Sequence, residues 1–366
     1  MTLAAGEMIG ERYEIEGKLG QGGMQEVYMA QDTVLKKTVA LKVPKTPSAS
    51  RRFLASAIMS ARVNHPNTAK TLDYVTTTES DYLIEEYIEG RDLSKLRARM
   101  PLMDPYLVAH FLHHLSRGIA ASHHVKVVHR DLKPSNIMVS PGFAFEAIKI
   151  TDFGIAKMAE EEIEAAVEGG DVQTMTNSST AIGALPYMAP EMMTSARKSG
   201  TPADIWAVGA ICYELLTGEK PFGQGLQVVL NVANRTMTPP PSHLDKVQFR
   251  GLTTDLLALL HSCMTNDAAA RPTADQLVTA CTNLCYPPSA RATGTLTYVG
   301  GNGAFGKIRT SGSGEDIFFH RDSLYGPRLE MGDRVCFAAF PGTPNARAHP
   351  IVKLHKPSDA AIAAGA

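Results

Sequence analysis

A carboxylate, two cations and a carboxamide stand within eight residues in His129-Arg130-Asp131-Leu132-Lys133-Pro134-Ser135-Asn136. A second carboxylate follows sixteen residues after Asn136, in Asp152-Phe153-Gly154. Moving a phosphoryl group from a nucleotide to a hydroxyl needs such a set: an acid to orient the attacking hydroxyl, a cation on the moving group, and hard oxygen ligands for Mg²⁺. Taken singly, each string could also be an Asp/Asn-rich turn between strands. Upstream, Gly20-Gln21-Gly22-Gly23-Met24-Gln25-Glu26-Val27 follows a strand-like stretch, and its glycines would let backbone N–H groups approach phosphates. Val39-Ala40-Leu41-Lys42 then places a lysine on an alternating strand pattern.

The elements that must position these residues fall into three textures. Residues 12–43 read as strands broken by glycines, with Tyr13, Ile15 and Leu19, then Val27 and Tyr28, then Val39, Leu41 and Val43 as the apolar positions. A helical stretch at 51–63 and strands at 72–75 and 82–88 complete a small β-rich lobe. From Leu93 to Leu284 the spacing is mainly helical, as in Val108, Phe111, Leu112, Leu115 and Ile119. Tyr286-Pro287-Pro288-Ser289-Ala290 marks a linker, set at 285–291. Beyond it glycines are frequent and strands short, and the Ala- and Gly-rich residues 357–366 read as a disordered tail.

A chain of 366 residues has room for two domains. A formal net charge of −1 excludes bulk electrostatic attraction to nucleic acid or membrane, though not local patches. The cysteines Cys212, Cys263, Cys281, Cys285 and Cys336 are odd in number and scattered, so reduced thiols are expected rather than disulfides or a metal cage. The first residues lack a basic segment followed by an apolar one. The longest apolar run, Trp206 to Leu216, contains Glu214 and falls short of the ~20 residues a membrane span needs. A cytoplasmic location with no membrane contact is the expectation.

Together the strings resemble the signature of the eukaryotic-type serine/threonine protein kinases of bacteria, in the same order. Pro186-Tyr187-Met188-Ala189-Pro190-Glu191 resembles the end of the activation segment, and Arg271 the arginine that pairs with that Glu191. Asp204-Ile205-Trp206-Ala207-Val208-Gly209 resembles the helix that anchors the catalytic loop. The resemblance spans residues 12–284 and implies an α+β, bilobal kinase fold using ATP and Mg²⁺. It gives Asp131 the substrate hydroxyl proton, Lys133 the γ-phosphoryl and Lys42 the α- and β-phosphates. Asn136 and Asp152 would hold Mg²⁺. Gly20, Gly22, Gly23 and Val27 would cover the phosphates, and Ala40, Glu85, Glu86, Ile88 and Met138 would line the adenine pocket, with Ile88 N–H and Glu86 C=O on the adenine edge. A protein substrate and a transient dimer for autophosphorylation are further implications.

Three positions depart from that pattern. Gln25 stands at the third glycine position, which varies among bacterial relatives and carries no weight here. Ser56 stands where the small-lobe helix normally supplies a glutamate for the strand lysine, and the segment from Arg52 to Asn67 contains no acid at all. Ala184 replaces a threonine whose hydroxyl normally bridges Asp131 and Lys133. Tyr82-Leu83-Ile84-Glu85-Glu86-Tyr87-Ile88 resembles the strand and hinge beside the adenine, with Glu85 at the gatekeeper position. A carboxylate buried there is costly unless paired, and Lys42 is its natural partner. A one-residue shift in register would instead leave Glu85 on the surface. The segment from Asp152 to Glu191 begins acidic (Glu160, Glu161, Glu162, Glu164) and turns hydroxyl-rich (Thr174, Thr176, Ser178, Ser179, Thr180). By resemblance Arg130 would receive a phosphate from it; a plain polar loop is the alternative.

The last segment resembles a cold-shock domain, a small five-stranded OB-type β-barrel, over residues 292–356. The resemblance rests on Gly294-Thr295-Leu296-Thr297-Tyr298, Gly303-Ala304-Phe305-Gly306-Lys307-Ile308, Asp316-Ile317-Phe318-Phe319-His320 and Gly332-Asp333-Arg334-Val335-Cys336-Phe337. It implies stacking of single-stranded RNA or DNA bases on Phe305, Phe318 and His320, with Lys307 as a phosphate contact. Tyr298 stands where a tryptophan is usual. From Tyr286 onward nine basic residues face six acidic ones, a mild excess that fits nucleic-acid binding or protein contact equally. The reading is therefore a serine/threonine kinase joined to a small barrel. A nucleotide-binding pseudokinase scaffold whose barrel does the recognising is the alternative, favoured by Ser56 and Ala184.

Overall fold

The computed structural model describes residues 2–21, 25–45, 50–153, 183–194, 199–287, 289–343 and 345–356. Gly22, Gly23, Gly154, the hydroxyl-rich stretch 174–180 and the tail 357–366 lie outside the described residues.

Six strands form the small lobe: β1 Met8–Ile9, β2 Tyr13–Gln21, β3 Gln25–Asp32, β4 Lys37–Pro44, β5 Thr71–Thr76 and β6 Asp81–Glu86, ordered β1-β2-β3-β4-β6-β5. Helix α1, Ser50–Ala61, lies between β4 and β5 in the chain. Register decides which side chains share a face. Gln25 pairs with Pro44, Val27 with Lys42, Lys42 with Leu83, and Ala40 with Glu85. With a side-chain period of two, Gln25, Val27, Ala40, Lys42, Leu83 and Glu85 occupy one face. Tyr28, Val39, Leu41, Val43, Tyr82 and Ile84 occupy the other, where they join Tyr13 and Ile15 in the lobe's own core. Leu83 packs on Phe53 and Ala57 of α1, so the first face looks toward α1 and the cleft.

The large lobe carries a short sheet of β7 Arg91–Asp92, β8 Ile137–Val139 and β9 Ile148–Ile150. Its helices are α2 Leu93–Arg99, α3 Pro105–His124, α4 Pro190–Thr194, α5 Thr201–Thr217, α6 Gln227–Ala233, α7 Val247–Cys263 and α8 Ala274–Thr282. Asp104 starts α3 by accepting from Leu107 N–H at 3.2 Å, with Pro105 as the first helical residue. Helix α5 is buried from Ala203 to Thr217 and forms the axis of the lobe; it stops at Gly218, whose φ of +81° suits a left-handed cap.

The third unit is a closed barrel, β10-β11-β12-β14-β13, built from β10 Ala292–Val299, β11 Phe305–Thr310, β12 Asp316–His320, β13 Arg334–Phe340 and β14 Arg347–Leu354. Leu296, Ile308, Ile317, Phe319, Val335, Phe337, Ala348 and Ile351 fill its interior. Part of the outward face of β13 and β14 is also buried, because Cys336, Val352 and Leu354 join the large-lobe core. Tyr325 O–H donates to Leu216 C=O at 2.7 Å, its ring edge-on to Phe249, while His349 stacks on the same Phe249 at 5.3 Å. Arg291 and Asp104 form a fully buried ion pair at 2.8 Å. Gly326 permits this approach: a Cβ there would lie 2.4 Å from a Leu102 methyl, and its φ is +105°. The barrel is thus fastened to the back of the helical lobe rather than strung from it. Cys212, Cys263, Cys281 and Cys336 are buried free thiols, and Cys285 is an exposed one.

Candidate active site

The catalytic string leaves α3 and returns under the small lobe as a turn locked by side chains. Arg130 holds φ at +63°, a left-handed conformation that costs a non-glycine residue about 1–3 kcal/mol. Asp204, at the start of α5, accepts from His129 N–H at 2.9 Å and Arg130 N–H at 2.8 Å and so holds that turn. Lys133 Nζ lies 2.9 Å from Asp131 Oδ2 and 3.0 Å from Oδ1. The Asn136 amide donates to Asp131 C=O at 2.8 Å and to Asp131 Oδ2 at 3.1 Å. Asn136 C=O in turn accepts from Thr151 N–H at 2.9 Å, which places the neighbouring Asp152 at the same turn. Asp152 itself has φ +63°. Asp131, Lys133 and Asn136 therefore share one network, and the Thr151 backbone bond sets Asp152 beside it. Ala184 brings no hydroxyl to it; Lys133 and Asp131 meet directly.

Lys42 sits at the roof. Its ammonium lies 2.6 Å from Glu85 Oε2 and 2.7 Å from Asp152 Oδ1. The ion pair with Glu85 follows from register: Glu85 is opposite Ala40 and diagonal to Lys42 on the cleft face, within reach of two long side chains. Burial works against the Lys42 ammonium, but the Asp152 and Glu85 carboxylates outweigh it and hold its pKa above the ordinary lysine value. Burial raises the Glu85 carboxyl, with Lys42 opposing. Burial also opposes the charged form of Asp152, yet Lys42 and a hydrogen bond from Gln25 hold that carboxyl below its usual range.

Two contacts here were not foreseen. Gln25, given no weight in the sequence reading, is buried and donates from Nε2 to Asp152 Oδ1 at 2.9 Å. Ser56 is not idle either: its hydroxyl donates to Phe153 C=O at 2.7 Å, joined by Ser60 at 3.2 Å. Helix α1 thus holds the backbone beside Asp152 and leaves the lysine to β6. The departures themselves were the available signals: a long polar side chain where glycine is usual, and two serines one turn apart on the helix.

The other described residues that the resemblance assigns to the nucleotide are placed by their strands. Gly20 pairs with Val27 at the open end of β2 and β3. Val27, Ala40, Ile88 and Met138 are half-buried. Met138 is paired across β8 and β9 with Lys149, whose Nζ meets Glu86 Oε1 at 2.6 Å and ties β9 to the end of β6. Arg271 clamps Glu191 through both carboxylate oxygens, at 2.7 and 2.8 Å, over the Trp206 ring. Among the described residues no three His, Cys, Asp or Glu side chains form a metal cage. The donor set fits Mg²⁺ all the same, since in nucleotide sites that ion takes one or two carboxylates and fills its shell with waters and phosphates.

On the barrel, Phe305 and Lys307 project outward from β11, and Phe318 and His320 from β12. The Phe305 and Phe318 rings stack at 5.8 Å, Tyr298 flanks Phe305 at 6.1 Å, and the Arg347 guanidinium lies 4.4 Å above Phe318. Phe305 and Tyr298 are 38% and 46% exposed, so this face is open while the β13–β14 face is docked.

This fold and this network define a class. Residues 13–281 match the protein kinase domain family, and the chain belongs to it. Its relatives are bacterial serine/threonine-protein kinases. It is 32% identical over 224 residues to a probable serine/threonine-protein kinase PknB of Corynebacterium glutamicum (59% of this chain, 33% of the relative). It is 32% identical to the serine/threonine-protein kinase pkn3 of Myxococcus xanthus (64% and 43%), and 31% identical to PrkC of Bacillus subtilis (60% and 32%). The chain thus spans about a third to two fifths of the length of these relatives. The crystal structure of Rad53 1–466 in complex with AMP-PNP shares the fold, with TM-score 0.57 and 22% identity over 74% of this chain and 64% of that one. The family match ends before the barrel. No helix among the described residues is long and apolar enough to cross a membrane.

Proposed function

We propose that the chain is an ATP- and Mg²⁺-dependent serine/threonine protein kinase. The observation that carries this reading is the Asp131–Lys133–Asn136 network, with the Asp152–Lys42 pair set beside it by the Thr151 backbone bond to Asn136. In it Asp131 orients the substrate hydroxyl and accepts its proton, and Lys133 meets the charge on the transferred group. Lys42 holds the α- and β-phosphates. Asn136 and Asp152 are the metal ligands, and a bound Mg²⁺ supplies charge neutralisation between the phosphates. Glu85 neutralises Lys42 in place of the absent helix acid. The hinge from Glu86 to Ile88 takes the adenine edge between Val27 and Ala40 above and Met138 below.

The test is phosphate incorporation from radiolabelled ATP by the full chain, beside Asp131→Asn and Asp152→Ala. Both substitutions should abolish it. Incorporation that persists unchanged would overturn the kinase reading, and nucleotide binding without incorporation in the wild type would establish the scaffold instead.

For the barrel, the outer β11–β12 face supports binding of single-stranded RNA or DNA, with bases on Phe305, Phe318 and His320 and phosphates at Lys307. Aromatic rings left open beside Lys307, Arg347 and Arg309 suit a flexible anionic strand with exposed bases. The opposite face already serves protein contact. Titration of the full chain with labelled oligonucleotides at low salt tests this; absence of binding to every single strand would leave the barrel as a protein-contact unit.

A further inference from the structure

Three guanidiniums gather where the barrel meets the kinase lobe. Arg91 lies on β7, just after the hinge, and Arg99 ends α2. Arg334 begins β13, opposite Leu354 of β14, and the next residue, His355, donates its N–H to Arg99 C=O at 2.7 Å. Arg334 and Arg99 are thereby set beside each other across the junction. Among the described residues no hydrogen bond or ion pair engages these three guanidiniums. Arg99 lies 5.5 Å above the Phe143 ring, with its Nε buried and unpaired. The acids nearest in sequence are engaged elsewhere: Asp92 accepts from Lys95 N–H at 3.0 Å, and Asp333 meets Lys353 at 2.8 Å. Burial, then Arg91 and Arg334, push the Arg99 pKa down. Like charges held together repel, and a phosphate, which a guanidinium matches with paired N–H donors, relieves that repulsion.

The cluster continues the open face of the barrel. Register puts Arg309 opposite Thr295, and Thr295 opposite Arg334. Their neighbours Ile308, Leu296 and Val335 point inward, so these three point outward and form one row across β11, β10 and β13. Arg309 is two residues along β11 from Lys307, on the face that carries the Phe305–Phe318 stack. Adjacent strands lie about 4.8 Å apart, so the row leads about 10 Å from β11 to Arg334. Resting on the reading of the aromatic face as a single-strand site, we propose that the bound RNA or DNA strand runs off the barrel along this row and onto the kinase lobe, its phosphates held by Arg334, Arg99 and Arg91. A run of cations continuous with a base platform suits a polymer of phosphates and bases, whereas one phosphorylated side chain would not span it. The strand thus touches both units and reaches the kinase beside its hinge.

The experiment measures fluorescence anisotropy of labelled RNA and DNA single strands of about 4 and about 16 nucleotides, the limits of what one OB-type barrel covers. The full chain is titrated over a range of salt as wild type, as Arg334→Gln, and as Arg334→Gln with Arg91→Gln. A third variant combines Arg91→Lys, Arg99→Lys and Arg334→Lys; Arg99, which packs on Phe143, is changed only to lysine. Arg334 is exposed, so its substitution leaves the core untouched. Each glutamine should weaken the long strand about fivefold at about 0.1 M salt and flatten its salt slope by about 0.7, while the short strand binds as before. The lysines keep the charge and should keep the slope. Long-strand binding unchanged by glutamine, an equal loss on both lengths, or a slope lost with lysine as well overturns the extension and leaves the barrel site standing. Wild-type protein that binds neither length at low salt overturns the barrel reading itself, and the extension with it.

Discussion

The cleft and the outer face of the barrel treat charge in opposite ways. In the cleft, Lys42 touches two carboxylates, one of which is also held by Gln25, and Asp131 touches both Lys133 and Asn136, all within about 3 Å in a mostly desolvated space. On the barrel, rings and basic side chains stand in solvent, and Arg309 with Asp316 is a surface pair. Groups that share partners in low dielectric depend on one another, whereas groups that meet water individually act nearly independently. Substitutions should be strongly non-additive in the first region and close to additive in the second.

The largest effect is expected where the two regions are fastened. Arg291→Met leaves the Asp104 carboxylate buried without its cation, and breaking one side of such a pair costs about 3–5 kcal/mol. Urea denaturation should show that loss. Adding Asp104→Ser, which retains a cap for α3, should recover most of it, because removing both charges avoids the uncompensated one. A double variant as unstable as the sum of the singles would show that the pair does not couple.

Next comes the roof. Glu85→Met removes one of the two carboxylates that hold Lys42 and leaves Asp152 alone with it, and nucleotide affinity should fall about tenfold, although an apolar gatekeeper is the commoner choice. Ser56→Glu alone should also be harmful, since it removes the hydroxyl that holds Phe153 C=O and buries an acid next to the Asp152 turn. The double variant should restore affinity, with a coupling of about 0.5–3 kcal/mol in a thermodynamic cycle. Additive losses would refute the exchange of roles between helix and strand.

How far the sequence could be read follows the same division. The catalytic loop was legible because its residues lie within a few positions of one another and the backbone fixes their geometry. The Lys42–Glu85 pair was legible because strand period and an unexplained acid pointed to the same place. Gln25 was not: as a missing glycine it says little, and only register reveals that its side chain reaches Asp152. Ser56 read as an absent acid, while its hydroxyl bond to Phe153 depends on how α1 packs. Docking of the barrel left no local trace, since Arg291 and Asp104 are 187 positions apart and Tyr325 finds Leu216 across 109. The linker placed at 285–291 holds one half of the buried Arg291–Asp104 pair at its end, a role that a Pro-rich stretch does not announce.

The smallest expected effect is on the open face, and it tests independence most directly. Phe305→Ala should cost about 1–3 kcal/mol of single-strand affinity through lost stacking, without changing how affinity responds to salt. Lys307→Gln should cost less at moderate salt, but should flatten the slope of log affinity against log salt by about 0.7, the share of one phosphate contact on a single strand. The two side chains lie two residues apart on β11, both outward, and no hydrogen bond or ion pair links them. One acts through base overlap and the other through counterion release, so the double variant should show the sum of both losses and the slope of Lys307→Gln alone. Coupling beyond about 0.5 kcal/mol would mean that the strand reorganises on this face, and that the barrel resembles the cleft more than its open rings suggest.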